Sequence, residues 1–484
     1  MARKKIQSKA GRRNAGSPGW RSALDLRFDR ASTVPLYRQV YDRLRDLISR
    51  GGFGAGARLP SSRSLASQLS LSRATVAYAY DLLAGDGYVG GRGSAGTYVS
   101  AQAAAGAARV TAHPVEALPA GEGAQPSPLS IGMPALDQFP RKTWARLEKR
   151  RAGALGAADL LAPDPQGYLP LRQALANRLA ITRGIICDPA QIFVTNGYAG
   201  ALLLAATSLL ASKGAVWVED PGDPDSRALL DSLGARVVGV PVDGQGMDVR
   251  EGVRRAPAAR LALVTPCHAP PLGRVLAPVR RDALLAWAGR AGSWILEHDR
   301  DNDFHYAGPP PLPLKSRDPA DRVIYAASFG SVLFPGLRLG CAVVPKALLG
   351  RFLAVAAALG HAPAVREQAV LREFIRRGFI GQHVNRMRRL YAARRRALLS
   401  ALVAQRVRGV EVPEGGLHLI LRLRGGRGDT EAAARAAKEG LGAEALSSFS
   451  ITARQSPALL LGFSALPQEA AEPVVRRLLR AIYG

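Results

Sequence analysis

Over residues 129–484, short apolar runs alternate with longer segments whose apolar positions recur at helical spacing. IFVTN, AVWVED, LALVTP and SWILEHD are too short for helices and too apolar for loops. Alternation of this kind predicts a mostly parallel sheet covered by helices. The most apolar later run, ALLLAATSLLA, is too short to span a bilayer and reads as a core helix.

Nearer the N-terminus the pattern changes. In PLYRQVYDRLRDLISRG, Leu36, Val40, Leu44, Leu47 and Ile48 share one helical face, with Pro35 in the first turn and Gly51 ending the helix. After GGFGAGARLP, Ser62 is placed to cap a short helix packing Leu65 and Leu69, and Ser72 to cap a third burying Val76, Tyr80 and Leu83. Two short helices across a tight turn predict a helix-turn-helix. Arg73 and Thr75 then fall in the first turn of its second helix, where a recognition helix presents side chains to the major groove. YVGGRGSAGTYVS supplies two β-rich ends and a Gly-rich tip carrying Arg92 and Ser94, a wing suited to backbone or minor groove.

These patterns divide the chain into four parts. Residues 1–30 lack an apolar period and form a basic, disordered arm, which either tracks phosphates or only solubilises. Residues 31–100 form the compact head. Residues 101–128, rich in Ala, Gly and Pro, form a flexible linker, and residues 129–484 the large domain.

Charge sharpens the division of labour. The 484 residues carry a formal net charge of +28, which favours a polyanionic partner such as nucleic acid. Residues 1–100 hold 17 Lys+Arg against 6 Asp+Glu, so that end is the expected contact. The three cysteines, Cys187, Cys267 and Cys341, show no metal-site or disulfide spacing. A reducing cytoplasm is expected, and no metal. The basic start MARKKIQSKAGRRN is followed by no apolar signal region.

LPSSRSLASQLSLSRATVAYAYDLLAGDGYVGGRGSAGTYV resembles the GntR-type winged helix. That resemblance implies DNA contacts from Arg63, Ser72, Arg73 and Thr75, and from Arg92, Gly93 and Ser94 of the wing. After the linker, DPQGYLPLRQALANRLAITRG, WVEDPGDPDSRALL, VTPCHAPPLGRVL, ILEHDRDNDFHY and SFGSVLFPGLRLG resemble, in order, the fold type I aminotransferase domain. Fused behind such a head, it resembles the MocR family of regulators. The implied fold class is α/β: a winged helix-turn-helix linked to an aminotransferase-like domain with a mostly parallel sheet and a smaller C-terminal α+β lobe.

The family chemistry uses pyridoxal 5′-phosphate (PLP), with a lysine forming the Schiff base, an aspartate on the ring nitrogen, and an arginine with a helix N-terminus on the phosphate. The family pattern SFSK-T-L-x-P-G-L-R-L-G puts Ser331 at the lysine's place, and serine forms no imine. Where the family reads EDDYDSEF this chain reads EHDRDNDF, so His298 replaces the aspartate and Arg300 the tyrosine. Asp223 stands where an aromatic usually stacks on the ring, and a carboxylate has no π-face. Asp299 and Asp301 lie one residue off register and are expected to point elsewhere. Arg338 matches the phosphate-binding arginine, beside Asn196, Gly197 and Tyr198 at a helix start; the alternative for Arg338 is an ion pair within the fold. Lys315 and Lys346 are not expected to reach the cavity, and His268 is expected to be structural.

The resulting expectation is a cytoplasmic DNA-binding regulator that is not an enzyme. It is expected to form a homodimer on double-stranded operator DNA and hold no covalently bound PLP, its vacated pocket being either a site for a small anionic effector held by Arg338 or without any ligand. Two alternatives remain: a PLP-dependent regulator or enzyme using noncovalent cofactor or a substitute lysine, and an architectural DNA binder driven by charge alone. The arginines of HVNRMRRLYAARRRALL are expected on the surface or at a dimer contact.

Overall fold

The structure, a computed structural model, describes residues 28–91, 96–103, 126–154, 156, 161–210, 214–306, 308–424, 426, 428–453 and 455–484. It separates into two compact units, Met1–Gly123 and Ala124–Gly484.

In the first unit, α1 (Leu36–Ser49) turns Val40, Tyr41, Leu44 and Ile48 inward. α2 (Ser62–Leu69) contributes Leu65 and Ala66 to the same core, and α3 (Arg73–Gly85) contributes Val76, Ala79, Tyr80 and Leu83. Caps set the break between α2 and α3. The Ser72 hydroxyl accepts the Thr75 N–H at 3.0 Å, and Ser70 takes a left-handed conformation with φ 51° between the helices. The cap of α2 is Ser61, which accepts from Ser64 N–H at 3.1 Å, one residue earlier than the expected Ser62. Strands β1 (Val89–Gly91) and β2 (Thr97–Val99) pair antiparallel, Val89 opposite Val99, as a wing requires. Arg92, Gly93 and Ser94 at its tip lie outside the described residues, as does the arm except for residues 28–30. Arg30 donates to the Ser70 carbonyl at 2.9 Å and so touches the turn of the helix-turn-helix.

The second unit opens with α4 (Arg141–Ala152) and α5 (Leu169–Arg183). An eight-stranded sheet follows, formed by β3 (Ile192–Thr195), β4 (Ala215–Asp220), β5 (Arg236–Asp243), β6 (Gly246–Met247), β7 (Leu261–Val264), β8 (Trp294–Asp299), β9 (Val323–Ser328) and β10 (Gly340–Val343). Its spatial order is β3-β10-β9-β8-β7-β4-β5-β6. The five central strands from β9 to β5 run parallel, and β10 and β6 run against their neighbours. Both faces are covered, which is why β4, β7 and β8 are buried along their whole length. α6 (Gly197–Leu209), α7 (Pro224–Ser232) and α10 (Leu349–Leu359) join the core of one face. α8 (Val249–Arg255) and α9 (Pro278–Ala291) serve the other, where Trp217 stacks on Trp287 at 3.9 Å.

The C-terminal lobe is an antiparallel sheet ordered β11-β12-β14-β13 (Val410–Glu411, His418–Arg422, Ala458–Gly462, Glu444–Ala445). α13 (Asp429–Lys438), α14 (Ala471–Tyr483) and the second half of the long α12 (Phe379–Ala404) cover it; α11 (Val365–Arg376) and the start of α12 pack on the large sheet. Among the described residues, no helix is long and apolar enough to cross a membrane.

Of the α12 arginines expected on the surface or at a dimer contact, Arg386, Arg389 and Arg396 are exposed, whereas Arg388 and Arg394 are tied into the fold. Arg394 is buried, donates to the Ser464 carbonyl and pairs with Asp137 at 2.7 Å; Arg388 donates to the Asp303 carbonyl at 3.0 Å. They fasten the helix to loops on both lobes.

One side chain ties the sheet to the lobe. The buried Asp220, at the end of β4, accepts from Ile451 N–H (2.8 Å), Thr452 N–H (2.9 Å), the Thr452 hydroxyl (2.8 Å) and Ala453 N–H (3.0 Å). Each donor loses a charged acceptor if the carboxylate goes. Asp220→Ala is therefore expected to lower the unfolding free energy of this unit by roughly 2–4 kcal/mol in chemical denaturation. A loss below about 0.5 kcal/mol, the range of neutral surface changes, contradicts this role.

Candidate functional site

On the head, Ser72 and Thr75 spend their hydroxyls on each other, 2.8 Å apart, and on the first turn of α3. They hold the helix start in place and leave its N–H groups pointing outward. Arg73, the first residue of α3, is exposed, and so is Arg63 in the first turn of α2. Neither guanidinium makes a hydrogen bond or ion pair with a described residue. Two uncommitted cations beside a capped helix start are what phosphate and base-edge recognition use.

In the large unit, a pocket of about 340 Å³ opens where the carboxyl ends of β8 and β9 meet the starts of α6 and α7, the usual position for a ligand in an open α/β sheet. His298, in β8, faces it, and its imidazole lies flat on the Tyr198 ring with centroids 3.5 Å apart and planes 5° apart. Burial first, then the nearby Arg300 cation, keep this imidazole neutral well below its usual range. The Tyr198 hydroxyl shifts the other way, its pKa raised chiefly by burial and then by Asp223.

Asp223 caps α7: its carboxylate accepts the Ser226 N–H at 3.1 Å and the Ser226 hydroxyl. Its other oxygen faces Arg300 at 3.8 Å. Two of the substituted positions thus form a long ion pair, and a third lies in the ring stack.

Ser331, in the turn after β9, lines this pocket and also a smaller void of about 40 Å³ behind it. Among the described residues no lysine lines either. Lys315 is held by Asp321 at 2.6 Å and lies before β9, at the opposite end of that strand from Ser331. Lys346 follows β10, which runs antiparallel to β9, and so falls at that same far end. Tested against PLP, the residues present do not fit. Among the described residues no amine lines the pocket for an imine, no carboxylate occupies the position of His298, and the His298 ring is already stacked on Tyr198 at 3.5 Å.

Of the four residues expected to bind an anion, only Tyr198 lines the pocket. Asn196 is exposed and donates to the His361 carbonyl at 3.0 Å. Gly197 is buried with φ 66°, close against Gly340. Arg338 is exposed, has φ 51°, and pairs with no described residue, so it neither joins the pocket nor makes the alternative ion pair. His268 lies off the pocket, packed against Gly416, whose φ of +80° and lack of a Cβ the close contact requires.

Asp299 points away from the pocket, as its register predicts, but Asp301 does not. It lines the pocket, as do Asp225, Ser226 and Gly132. Asp301 was expected to point elsewhere, and Asp225, Ser226 and Gly132 were not singled out in the sequence. The turn that turns Asp301 inward has φ 54°, unusual for a non-glycine, and no periodicity signals it.

Comparison with known proteins gives two family matches: bacterial regulatory proteins of the gntR family over residues 36–99, and aminotransferase class I and II over residues 127–478. The probable rhizopine catabolism regulatory protein MocR of Rhizobium meliloti is 36% identical over 390 residues, 78% of each chain. An uncharacterised HTH-type transcriptional regulator of Bacillus subtilis, YhdI, is 31% identical over 453 residues, 91% of this chain and 94% of its own. Among solved structures, a kynurenine aminotransferase of Pyrococcus horikoshii superposes with a TM-score of 0.67 at 24% identity, covering 75% of this chain and 91% of that one, a likeness of fold.

The neutral, buried imidazole carries a pH signature. In the unfolded chain His298 takes up a proton near about pH 6.5, while in the folded chain it stays neutral. The unfolded state therefore binds more protons as pH falls, and stability drops with it. Between about pH 7.5 and about pH 5.5 this one group removes up to about 1.4 kcal/mol, the limit reached when it does not ionise at all in the folded chain. His298→Asn, whatever its effect at neutral pH, is expected to shrink the loss measured by denaturation at both pH values by about that amount. An unchanged loss means the imidazole is free to ionise in place.

Proposed function

Because the chain belongs to the family of GntR-type, DNA-binding transcriptional regulators that carry an aminotransferase class I and II domain, we propose that this member regulates without PLP chemistry. The head reads an operator through α3, and the large domain serves dimerisation and effector sensing rather than transamination. The observation that carries this reading is the pocket wall. Ser331 stands where the imine lysine belongs, and the Tyr198–His298 stack and the Asp223–Arg300 pair occupy the cofactor's surroundings. Noncovalent PLP would need the same space and is disfavoured by the same contacts.

A dimer supplies two heads for paired half-sites, and a transcriptional regulator of this kind works in the cytoplasm. Sequence-specific reading separates it from a charge-driven architectural binder, whose affinity collapses with salt and shows no specificity ratio.

Arg73 is the decisive residue. With an operator selected from random-sequence DNA, at physiological salt and without PLP, Arg73→Ala is expected to weaken binding by roughly 1–3 kcal/mol. Its unfolding should stay within about 0.5 kcal/mol of wild type, because among the described residues the guanidinium has no partner to lose. Equal operator affinity in variant and wild type contradicts recognition by the start of α3, and an absolute requirement for PLP contradicts the wider reading.

A further inference from the structure

The charge of the pocket does not match an anionic ligand. Asp223, Asp225 and Asp301 line it, with Arg300 as the single lining guanidinium among the described residues. Arg300 is 3.8 Å from Asp223 and 3.8 Å from Asp301, outside hydrogen-bond reach of both. It offsets part of the negative charge without satisfying either carboxylate.

Asp301 is the informative member. Its side chain is 4% exposed, and its Oδ1 is buried with no hydrogen-bond partner. No described residue donates to either of its carboxylate oxygens. A buried carboxylate without donors is costly; Asp301 lines both this pocket and the smaller void behind it, and a ligand N–H that reaches the carboxylate from the pocket side reduces that cost. The remaining walls include Leu202 and Leu229, so an apolar frame has a surface to lie on. Among the described residues no acidic or histidine group is arranged to hold a metal ion, which points to an organic cation rather than an inorganic one.

We propose that the pocket binds a small organic cation, a primary amine or guanidinium on a short carbon frame, with its N–H groups on Asp301 and its charge shared with Asp223 and Asp225. This rests on the reading above of a sensing domain without PLP. It replaces the anionic effector expected from Arg338, which lies outside the pocket. The size of the cavity, about 340 Å³, suits a ligand at the small end of the metabolite range.

The test is calorimetric titration of the full chain with putrescine, agmatine and glucosamine, beside succinate, glycerol phosphate and PLP. At least one amine is expected to bind, and Asp301→Asn to weaken it about tenfold or more through loss of the charged acceptor. Asp225→Asn, on the exposed first turn of α7, is expected to weaken it by about two- to fivefold through charge alone. It supplies the comparison should Asp301→Asn not fold. Retained operator binding shows that each variant is intact. Binding of the anions alone, no amine binding up to about 10 mM, or amine binding undiminished in the intact variants overturns the proposal. PLP bound in the same series overturns the reading it rests on, whereas silence from amines and PLP together overturns only the amine proposal.

Discussion

The end of β8 is fixed by a buried ion cluster, and the pocket depends on it. Asp299 receives the Arg183 guanidinium at 2.6 Å and the Tyr325 hydroxyl, and Arg183 also reaches Asp303 at 3.1 Å. Strand geometry turns successive side chains to opposite faces. Once Asp299 is pinned on one side, His298 must face the other, where Tyr198 lies at the start of α6. The same anchoring delivers Arg300 and Asp301 into the turn that follows. A slip of one residue would exchange a neutral imidazole for a carboxylate at the ring position.

Within that frame the substituted positions complement one another. His298 finds a ring to stack on, and Arg300 finds Asp223, which itself caps α7. Loss of an amine at Ser331 alone would leave a cavity shaped for a planar ring. In this chain the Tyr198–His298 stack takes part of that space, three carboxylates line the wall, and Arg338 is not among the lining residues. The head asks nothing of this pocket for its own fold: its core is self-contained, and its helix caps are local.

Local features were the most legible in the sequence. The helices of the head, the Ser72 cap and the wing pairing follow from apolar spacing and capping chemistry within a few residues. Even there the cap of α2 fell on Ser61, because three nearby serines at positions 61, 62 and 64 carry the same signal. The parallel sheet was legible from its apolar runs, and the place of Ser331 at the pocket from motif spacing. What was not legible depends on residues far apart in the chain. Asp301 enters the pocket through a left-handed turn, Arg394 is buried because Asp137 and Ser464 meet it, and Asp223 serves as a cap. Arg338 kept its motif yet stands outside the pocket, since a motif fixes a loop's residues without fixing where the side chain ends up.

The central claim is that this pocket has exchanged imine chemistry for contacts among its own side chains. Absorbance of the purified chain titrated with PLP, followed by borohydride reduction and mass analysis, tests it most directly, with Ser331→Lys measured alongside. The account predicts no Schiff-base absorbance and no reduced adduct in the wild type, and at most a weak signal in the variant while His298 and Tyr198 still fill the ring space. A strong Schiff-base band in the wild-type chain, with a reduced PLP adduct mapped to a lysine of the large unit, would contradict it.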